Sequence, residues 1–108
     1  MMRLFLAAAA VSLLCSSAAL AGPTLAIHHV VADYAKWKPG YDAHKPVRDS
    51  AGLKNCRVQS ATDNANDVLI LCDVTSMAKA KAFTTSKSLA DAMKGAGVVG
   101  KPAFFFLP

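Results

Sequence analysis

The sequence predicts an α+β fold in which strands and helical regions follow the order β-α-β-β-α-β. Runs rich in Val, Ile, Leu and Phe predict four strands, and residues repeating at steps of three and four predict the two helical regions between them. This order is the ferredoxin-like split arrangement, in which an antiparallel sheet carries both helical regions on one face.

The first 21 residues predict a secretory signal peptide. Arg3 supplies the positive start, residues 4–14 form an apolar run, and Ala-Leu-Ala at 19–21 matches a small-residue cleavage site. The apolar run is well short of the ~20 residues that span a bilayer, so we expect no membrane association after cleavage. The sequence therefore predicts a single mature domain, residues 22–108, that is periplasmic or secreted.

The charge distribution and the predicted export both argue against a nucleic-acid partner. The formal net charge is +5 at pH 7, but Lys and Arg are spread along the chain without a run, as on a solvated surface. Export also separates the protein from nucleic acid. A domain this short buries only ~60% of its unfolded surface, so a disulfide or an oligomer interface would help to stabilise it.

The first strand is predicted at 25–32, and Asp33 after it can cap a helix. Aromatic and basic residues then recur at steps of 3, 4, 3 and 4, which places them on one helix face: Tyr34, Trp37, Tyr41, His44 and Arg48. Pro39 interrupts the pattern because its ring removes a donor and clashes one turn back. We therefore expect a short first turn, a main helix starting near Pro39, and a left-handed cap at Gly52.

The second half of the chain predicts a hairpin, a helical region and a last strand. Strands at 54–60 and 68–75 are joined by a polar turn at 61–67. Ser76 starts the second helical region, Ser88 restarts it, and glycines between 95 and 100 end it. The last strand is Ala-Phe-Phe-Phe-Leu at 103–107.

The predicted strands are apolar on both faces. Residues 68–72 and 103–107 lack the alternation that lets one face of an antiparallel sheet meet water. The face without helices therefore needs cover, and a second copy packed sheet against sheet supplies it most simply. We expect a homodimer.

The hairpin register predicts a Cys56–Cys72 disulfide. With a turn at 61–67, Ser60 faces Val68 and Cys56 faces Cys72 directly, at a separation that a disulfide can bridge. Paired cysteines in an exported domain are usually oxidised, which argues against a nucleophilic thiol.

Three motifs together cover nearly all of the chain after the signal. They are HxVxDYxxWKxxYDxHxxxR at 29–48, KAKAF at 79–83 and LxxAMxxAGVxGxP at 89–102. With them the chain resembles the dimeric α/β-barrel superfamily, and in particular small proteins similar to antibiotic biosynthesis monooxygenases. That superfamily includes cofactor-free monooxygenases, haem-degrading enzymes, isomerases and members without assigned activity, so the resemblance implies a fold more strongly than a reaction.

Any ligand pocket is predicted between the first helix and the sheet. Its candidate residues are His29, Trp37, Tyr41, His44 and Arg48. His and Arg on an aromatic stripe cost stability unless they are hydrogen-bonded or face a wet cavity. The competing interpretation is packing, because aromatic stripes at helical spacing are more often core than chemistry.

Metal and cofactor sites are not expected. His28 and His29 are adjacent on a strand and point to opposite faces, so they cannot share an ion within one subunit. No acidic pair stands beside them to complete the three or four ligands of a zinc site. The polar and aromatic set of the haem-degrading relatives is also unmatched, and no phosphate-binding glycine loop opens a helix.

Two functions of different classes remain. The first is an exported protein that binds a small apolar or aromatic molecule without catalysis. The second is a cofactor-independent monooxygenase acting on a phenolic or quinone-like substrate. In the second, the resemblance implies a His base, with Tyr and Arg donating to a developing enolate.

Overall fold

A computed structural model describes residues 22–108, and the predicted signal peptide lies outside them. The elements are β1 (Thr24–Val31), α1 (Tyr34–Ala43), α2 (Lys45–Ser50), β2 (Leu53–Ala61), β3 (Asn64–Val74), α3 (Met77–Thr84), α4 (Lys87–Gly95) and β4 (Val98–Leu107). All strand pairs are antiparallel, in the order β2-β3-β1-β4. The predicted ferredoxin-like α+β fold is confirmed, with each helical region split into two helices.

The core lies between the helices and one face of the sheet. Alternate residues of the central strands point into it, because successive side chains of a strand face opposite sides. From β1 and β3 the largest buried apolar side chains are Leu25, Ile27, Val31, Val68, Ile70 and Val74. The helices contribute Trp37, Ala80, Phe83 and Leu89 to the same cluster.

Helix α1 runs through Pro39, so the prediction that the main helix starts there is wrong. The Asp33 carboxylate accepts from the backbone N–H groups of Ala35 and Lys36, which fixes the start at Tyr34. The proline therefore stands inside a capped helix and costs it one backbone hydrogen bond. Burial of Trp37 on the inner face offsets that loss.

The chain breaks instead at His44, between α1 and α2. Pro46 explains the position, because it has no N–H to donate to the carbonyl of Asp42 one turn earlier. At the start of a new helix the same residue is tolerated. Gly52 ends α2 at φ +75, as predicted, and a Cβ there would lie 3.0 Å from the Cβ of Ser76.

The second helical region starts at Ser76, as predicted, but restarts at Ser86 and not at Ser88. The Ser86 hydroxyl accepts from the backbone N–H of Leu89 at 3.1 Å. Ser88 lies within α4, and Asp91 pairs with Lys87 four residues earlier. The serine nearer the preceding turn takes the cap, because its backbone is extended there.

The hairpin turn contains only residues 62–63, so the predicted seven-residue turn is wrong. The polar residues that follow belong to β3, which pairs with β1 as far as Asp67. Asn66 has a separate role, since its side chain accepts from the backbone N–H of Tyr34 at 2.8 Å. The predicted register of Ser60 opposite Val68 is nevertheless present.

The predicted Cys56–Cys72 disulfide is present, with the two Cα atoms 4.0 Å apart. The β2–β3 register shifts just before it, between Lys54 and Arg57, where Asn55 has φ +53. Asn is one of the few residues that adopt this left-handed conformation readily. The bond therefore ties the edge strand β2 to the sheet beside an irregularity.

We call the surface formed by the outward residues of β1, β3 and β4 the helix-free face. Its apolar side chains include Val30, Leu69, Leu71, Val99, Phe105 and Leu107. Phe105 is 54% exposed there. Strand β4 is also longer than the predicted 103–107, because it starts at Val98 and includes Gly100; Gly95 and Gly97 do end the helical region, as predicted. Among residues 22–108, no helix has the length and apolar character needed to cross a bilayer.

Candidate functional site

A cavity of about 50 Å³ lies between the helices and the covered face of the sheet. Its wall contains all five of the residues singled out in the sequence: His29, Trp37, Tyr41, His44 and Arg48. Strand β1 supplies the first of them, α1 the next two, the α1–α2 break His44, and α2 the arginine. The alternation of β1 and the helical spacing together bring them to one place.

His29 is 3% exposed and points into the core, whereas its neighbour His28 lies on the helix-free face and pairs with Asp67. Burial lowers the pKa of His29, so its imidazole is neutral at pH 7. Its Nδ1 atom is buried and has no hydrogen-bond partner in the described part of the chain. The ring meets Trp37 edge to face, with centroids 5.4 Å apart.

Trp37 and Tyr41 form the aromatic wall of the cavity. Their rings stack at 4.9 Å between centroids, and Trp37 is only 2% exposed. The Tyr41 hydroxyl is buried and, within residues 22–108, also lacks a hydrogen-bond partner. Burial raises the pKa of Tyr41, which keeps the phenol protonated and able to donate.

Arg48 closes the other end of the aromatic stack. Its Nη1 donates to the backbone carbonyl of Tyr41 at 2.6 Å, and its Cζ stands 3.7 Å from the centroid of that ring. This is cation–π geometry, and it ties α2 to the last turn of α1. Although burial lowers the pKa of Arg48, a guanidinium remains charged in proteins.

His44 occupies the break between α1 and α2, half-buried, with its ring centroid 6.3 Å from that of Phe83. Burial, and then the positive charge of Arg48, lower the pKa of His44. This second imidazole is therefore also neutral at pH 7. It lies where the two helical regions approach each other.

Sequence reasoning missed the part of the wall that comes from the second helical region. The remaining contacts come mainly from Phe83, Leu89, Ala92, Met93 and Ala96, with Gly40 from α1. The motifs at 79–83 and 89–102 contain these side chains but carry no polar group that would mark a site. Their contribution is an apolar lid over the polar atoms of the first half.

The arrangement offers a ligand four kinds of contact. Aromatic and aliphatic side chains line most of the wall, the Tyr41 hydroxyl can donate, the neutral His29 can donate or accept, and Arg48 adds a positive charge. Within residues 22–108, no three His, Cys, Asp or Glu side chains come together as metal ligands would.

No family model matches the sequence, and no curated protein matches it either. Solved structures do match. A proposed antibiotic biosynthesis monooxygenase from Bordetella bronchiseptica shares 14% identity at a TM-score of 0.64, covering 81% of this chain and 96% of its own. SnoaB, a cofactor-independent oxygenase from Streptomyces nogalater, shares 10% at 0.59, covering 77% and 89%.

A third neighbour is a monooxygenase from the gene ActVA-Orf6 of Streptomyces coelicolor, solved with the ligand nanaomycin D. It shares 16% identity at a TM-score of 0.55, covering 81% of this chain and 87% of its own. Identities this low relate folds and leave activities open. The chain shares the fold of these antibiotic biosynthesis monooxygenase and oxygenase structures, as its three motifs predicted.

Proposed function

We propose that this protein is an exported homodimer whose subunits each bind a small aromatic molecule between helices and sheet, without catalysing its conversion. One observation carries the binding proposal. Two polar atoms, His29 Nδ1 and the Tyr41 hydroxyl, are buried in the wall of an otherwise aromatic cavity and have no partner in the described chain.

Packing alone accounts for the aromatic rings but not for these atoms. Leaving a buried donor or acceptor unsatisfied costs about 1–3 kcal/mol for each group. An apolar residue at either position would avoid that cost. A ligand with a hydroxyl or carbonyl oxygen would satisfy both atoms and stack against the rings, as ligands do in concave, mainly apolar sites.

The cavity has to widen to admit a ring. Its volume is about 50 Å³, whereas an engineered cavity that binds benzene measures ~150 Å³. Two features permit widening. Met93 is a flexible side chain that changes rotamer easily, and α1 meets α4 through the small residues Gly40 and Ala96. The ligand is therefore a small one.

Cofactor-independent oxygenation is the second candidate, favoured by the neutral His29 with a free ring nitrogen beside a phenol donor. The same burial weakens that histidine as a base. A free phenol has a pKa of ~10, whereas burial lowers the pKa of His29, so proton transfer from the phenol to this histidine would be strongly uphill. We therefore place binding ahead of catalysis.

The homodimer proposal is supported by the helix-free face. Val30, Val99, Phe105 and Leu107 are all exposed there, on adjacent strands. Contiguous apolar surface on a soluble protein usually marks an interaction site. A second copy packed face to face would bury the same residues from both subunits, as in an isologous two-fold interface.

Export is supported by the apolar leader and by the disulfide. Disulfides persist in the periplasm and outside the cell and are rare in the cytosol. We expect the mature chain to begin at Gly22. Mass spectrometry of protein recovered from the periplasm measures the mass of the mature chain. A mass that includes the leader would contradict cleavage before Gly22.

Native mass spectrometry of periplasmic protein tests the whole proposal. We expect a dimer with the Cys56–Cys72 bond intact and a retained small molecule, which denaturation releases. Oxygen uptake with an anthrone-type substrate separates the two functions. Turnover that His29→Gln abolishes would establish oxygenation and overturn the non-catalytic proposal.

A further inference from the structure

Resting on the binding function proposed above, we propose that the ligand is an acid. The geometry points to a planar aromatic molecule with an anionic oxygen group, a carboxylate or an ionised phenol, that pairs with Arg48. The ring of this ligand would lie in the cavity and its charged oxygens at the edge formed by Arg48 and Tyr41.

The first observation is a buried cation without a counter-charge. Arg48 is 7% exposed, and across residues 22–108 it makes no ion pair with a carboxylate. Buried charges in proteins are normally paired, because removing an ion from water is costly. An anion bound at this position would supply the missing charge.

The acidic residues closest in sequence are engaged elsewhere. Asp42 pairs with Lys38 at 2.8 Å, and Asp49 pairs with Lys45 at 2.8 Å and with Lys54 at 3.6 Å. All of these pairs lie on the surface. Burial lowers the pKa of Arg48, and the charges of Asp42 and Asp49 act on it through space in the opposite direction, but neither carboxylate forms an ion pair with the guanidinium.

A structural role accounts for only some of the hydrogen-bonding capacity of Arg48. Its Nη1 bonds the carbonyl of Tyr41, and its planar group lies over that ring, so two of its interactions hold α1 and α2 together. A guanidinium has five N–H donors in a fork that fits a carboxylate with two parallel bonds. The donors that the helix contact does not use are available to a ligand.

The rest of the cavity wall does not compete for an anion. His29 and His44 are neutral because burial lowers the pKa of each, and Tyr41 stays protonated because burial raises its pKa. None of the described residues that line the cavity carries a carboxylate. Arg48 therefore sets the sign of the electrostatic potential inside it.

The position of Arg48 also fixes the orientation of the ligand. Arg48 and Tyr41 line both the inner cavity and an open groove of about 630 Å³ on the outer side of α1 and α2. Lys38, Lys45 and Lys54 border that groove together with Asp42 and Asp49, so with Arg48 it carries four positive and two negative side chains and is net positive. An acid would approach through positive surface and keep its charged oxygens at the boundary, while its ring enters the smaller apolar space.

The test compares matched charged and neutral probes by calorimetry on the full mature dimer. Benzoate is paired with benzamide, and 4-nitrophenol, at a pH where it is ionised, with nitrobenzene. We expect each anion to bind at least tenfold more tightly than its neutral partner, with the larger ratio identifying carboxylate or phenolate as the natural group. Added salt should reduce the preference.

Arg48→Met keeps the length and apolar stem and should erase the preference while retaining the affinity for the neutral probes. Arg48→Lys keeps the charge but loses the fork, so it should retain part of the preference. Lys79→Met, on the exposed surface of α3 and outside both the cavity and the groove, is the matched control and should leave the ratio unchanged. Lys45→Met tests the outer groove. The wild-type ratio decides the question even if an Arg48 variant fails to fold.

The outcomes separate this inference from the function on which it rests. Neutral probes that bind as tightly as the anions, or a preference that survives in Arg48→Met, would overturn the acid proposal and leave the binding function standing. If none of the four probes binds, the binding function itself fails. An anion preference lost in Lys45→Met but kept in Arg48→Met would place the acid in the outer groove instead.

Discussion

The two faces of the sheet differ in what they leave unsatisfied. On the helix-covered side the apolar side chains are buried, and two buried polar atoms, His29 Nδ1 and the Tyr41 hydroxyl, have no hydrogen-bond partner in the described part of the chain. On the helix-free face the polar His28 has a partner in Asp67, and the apolar Phe105 is exposed. We therefore expect a ligand with a polar group on the covered side, and another apolar surface packed on the helix-free face.

The largest effect is expected on the helix-free face. Phe105→Asp would place an unpaired charge in the proposed interface, at a cost of roughly 3–5 kcal/mol, and so weaken dimerisation by about 100- to 4,000-fold. Sedimentation equilibrium at micromolar concentration measures the change. Val47→Asp is the control, because Val47 is 39% exposed on α2, away from that face. A wild-type monomer under these conditions would contradict the dimer.

The next effect concerns the Cys56–Cys72 disulfide, which joins the edge strand β2 to β3. Replacing Cys56 and Cys72 by Ala should lower the free energy of unfolding by ~3 kcal/mol, since the bond closes a loop with a sequence separation of 16. Urea unfolding of the double variant and the parent measures this. Thiol counting on the unreduced, denatured protein should find neither cysteine free, and two free thiols would refute the bond.

The difference between the two faces of β1 could be predicted from sequence, because successive side chains of a strand point to opposite faces. The alternation placed His28 and His29 on opposite faces, and the helical spacing brought Trp37 and Arg48 to one wall. The motifs led to the correct fold. These inferences rest on local geometry, which the sequence determines directly.

The helix boundaries could not be predicted in this way, because nearby prolines and serines compete to break or cap the same helix. Whether Pro39 or Pro46 breaks the first helical region depends on the Asp33 cap, and whether Ser86 or Ser88 caps α4 depends on the preceding turn. The apolar contribution of α3 and α4 to the cavity follows from tertiary packing. No local pattern distinguishes such a wall from ordinary core.

The histidines of the covered face should make stability depend on pH. Burial lowers the folded-state pKa of His29 and His44 below 6.5, so the unfolded chain binds more protons at acidic pH. Their contribution to stability is complete above pH ~6.5 and declines as pH falls towards the folded pKa values, at no more than ~1.4 kcal/mol per pH unit for each group.

Melting curves between pH 8 and pH 5 test this dependence. His29→Leu should flatten the decline below pH 6.5, because one of the two groups is gone. A decline as steep as that of the parent would mean that His29 is protonated as readily in the folded protein as in the unfolded chain.

The smallest effect on stability is expected at Gly40, where one substitution should change stability and ligand binding in opposite directions. Gly40→Ala should stabilise the protein by roughly 0.5–1 kcal/mol, since Gly40 lies inside α1 and the new Cβ would make an ordinary contact 3.5 Å from Ala96. The same methyl group narrows the cavity and should weaken ligand binding. Gly52→Ala is the opposite control, destabilising because of its φ of +75 and the nearby Ser76. Thermal melts and phenol titrations give both readouts.

The most direct test of the central claim uses Trp37, the only tryptophan in the chain and part of the cavity wall. Phenol titrated into the parent should change its emission along a saturable curve. His44→Ala should weaken this response and Gly40→Leu should abolish it without unfolding the dimer, while His28→Gln on the other face should retain it. A response that never saturates, or that is equal in the parent and Gly40→Leu, would contradict a ligand site on the covered face.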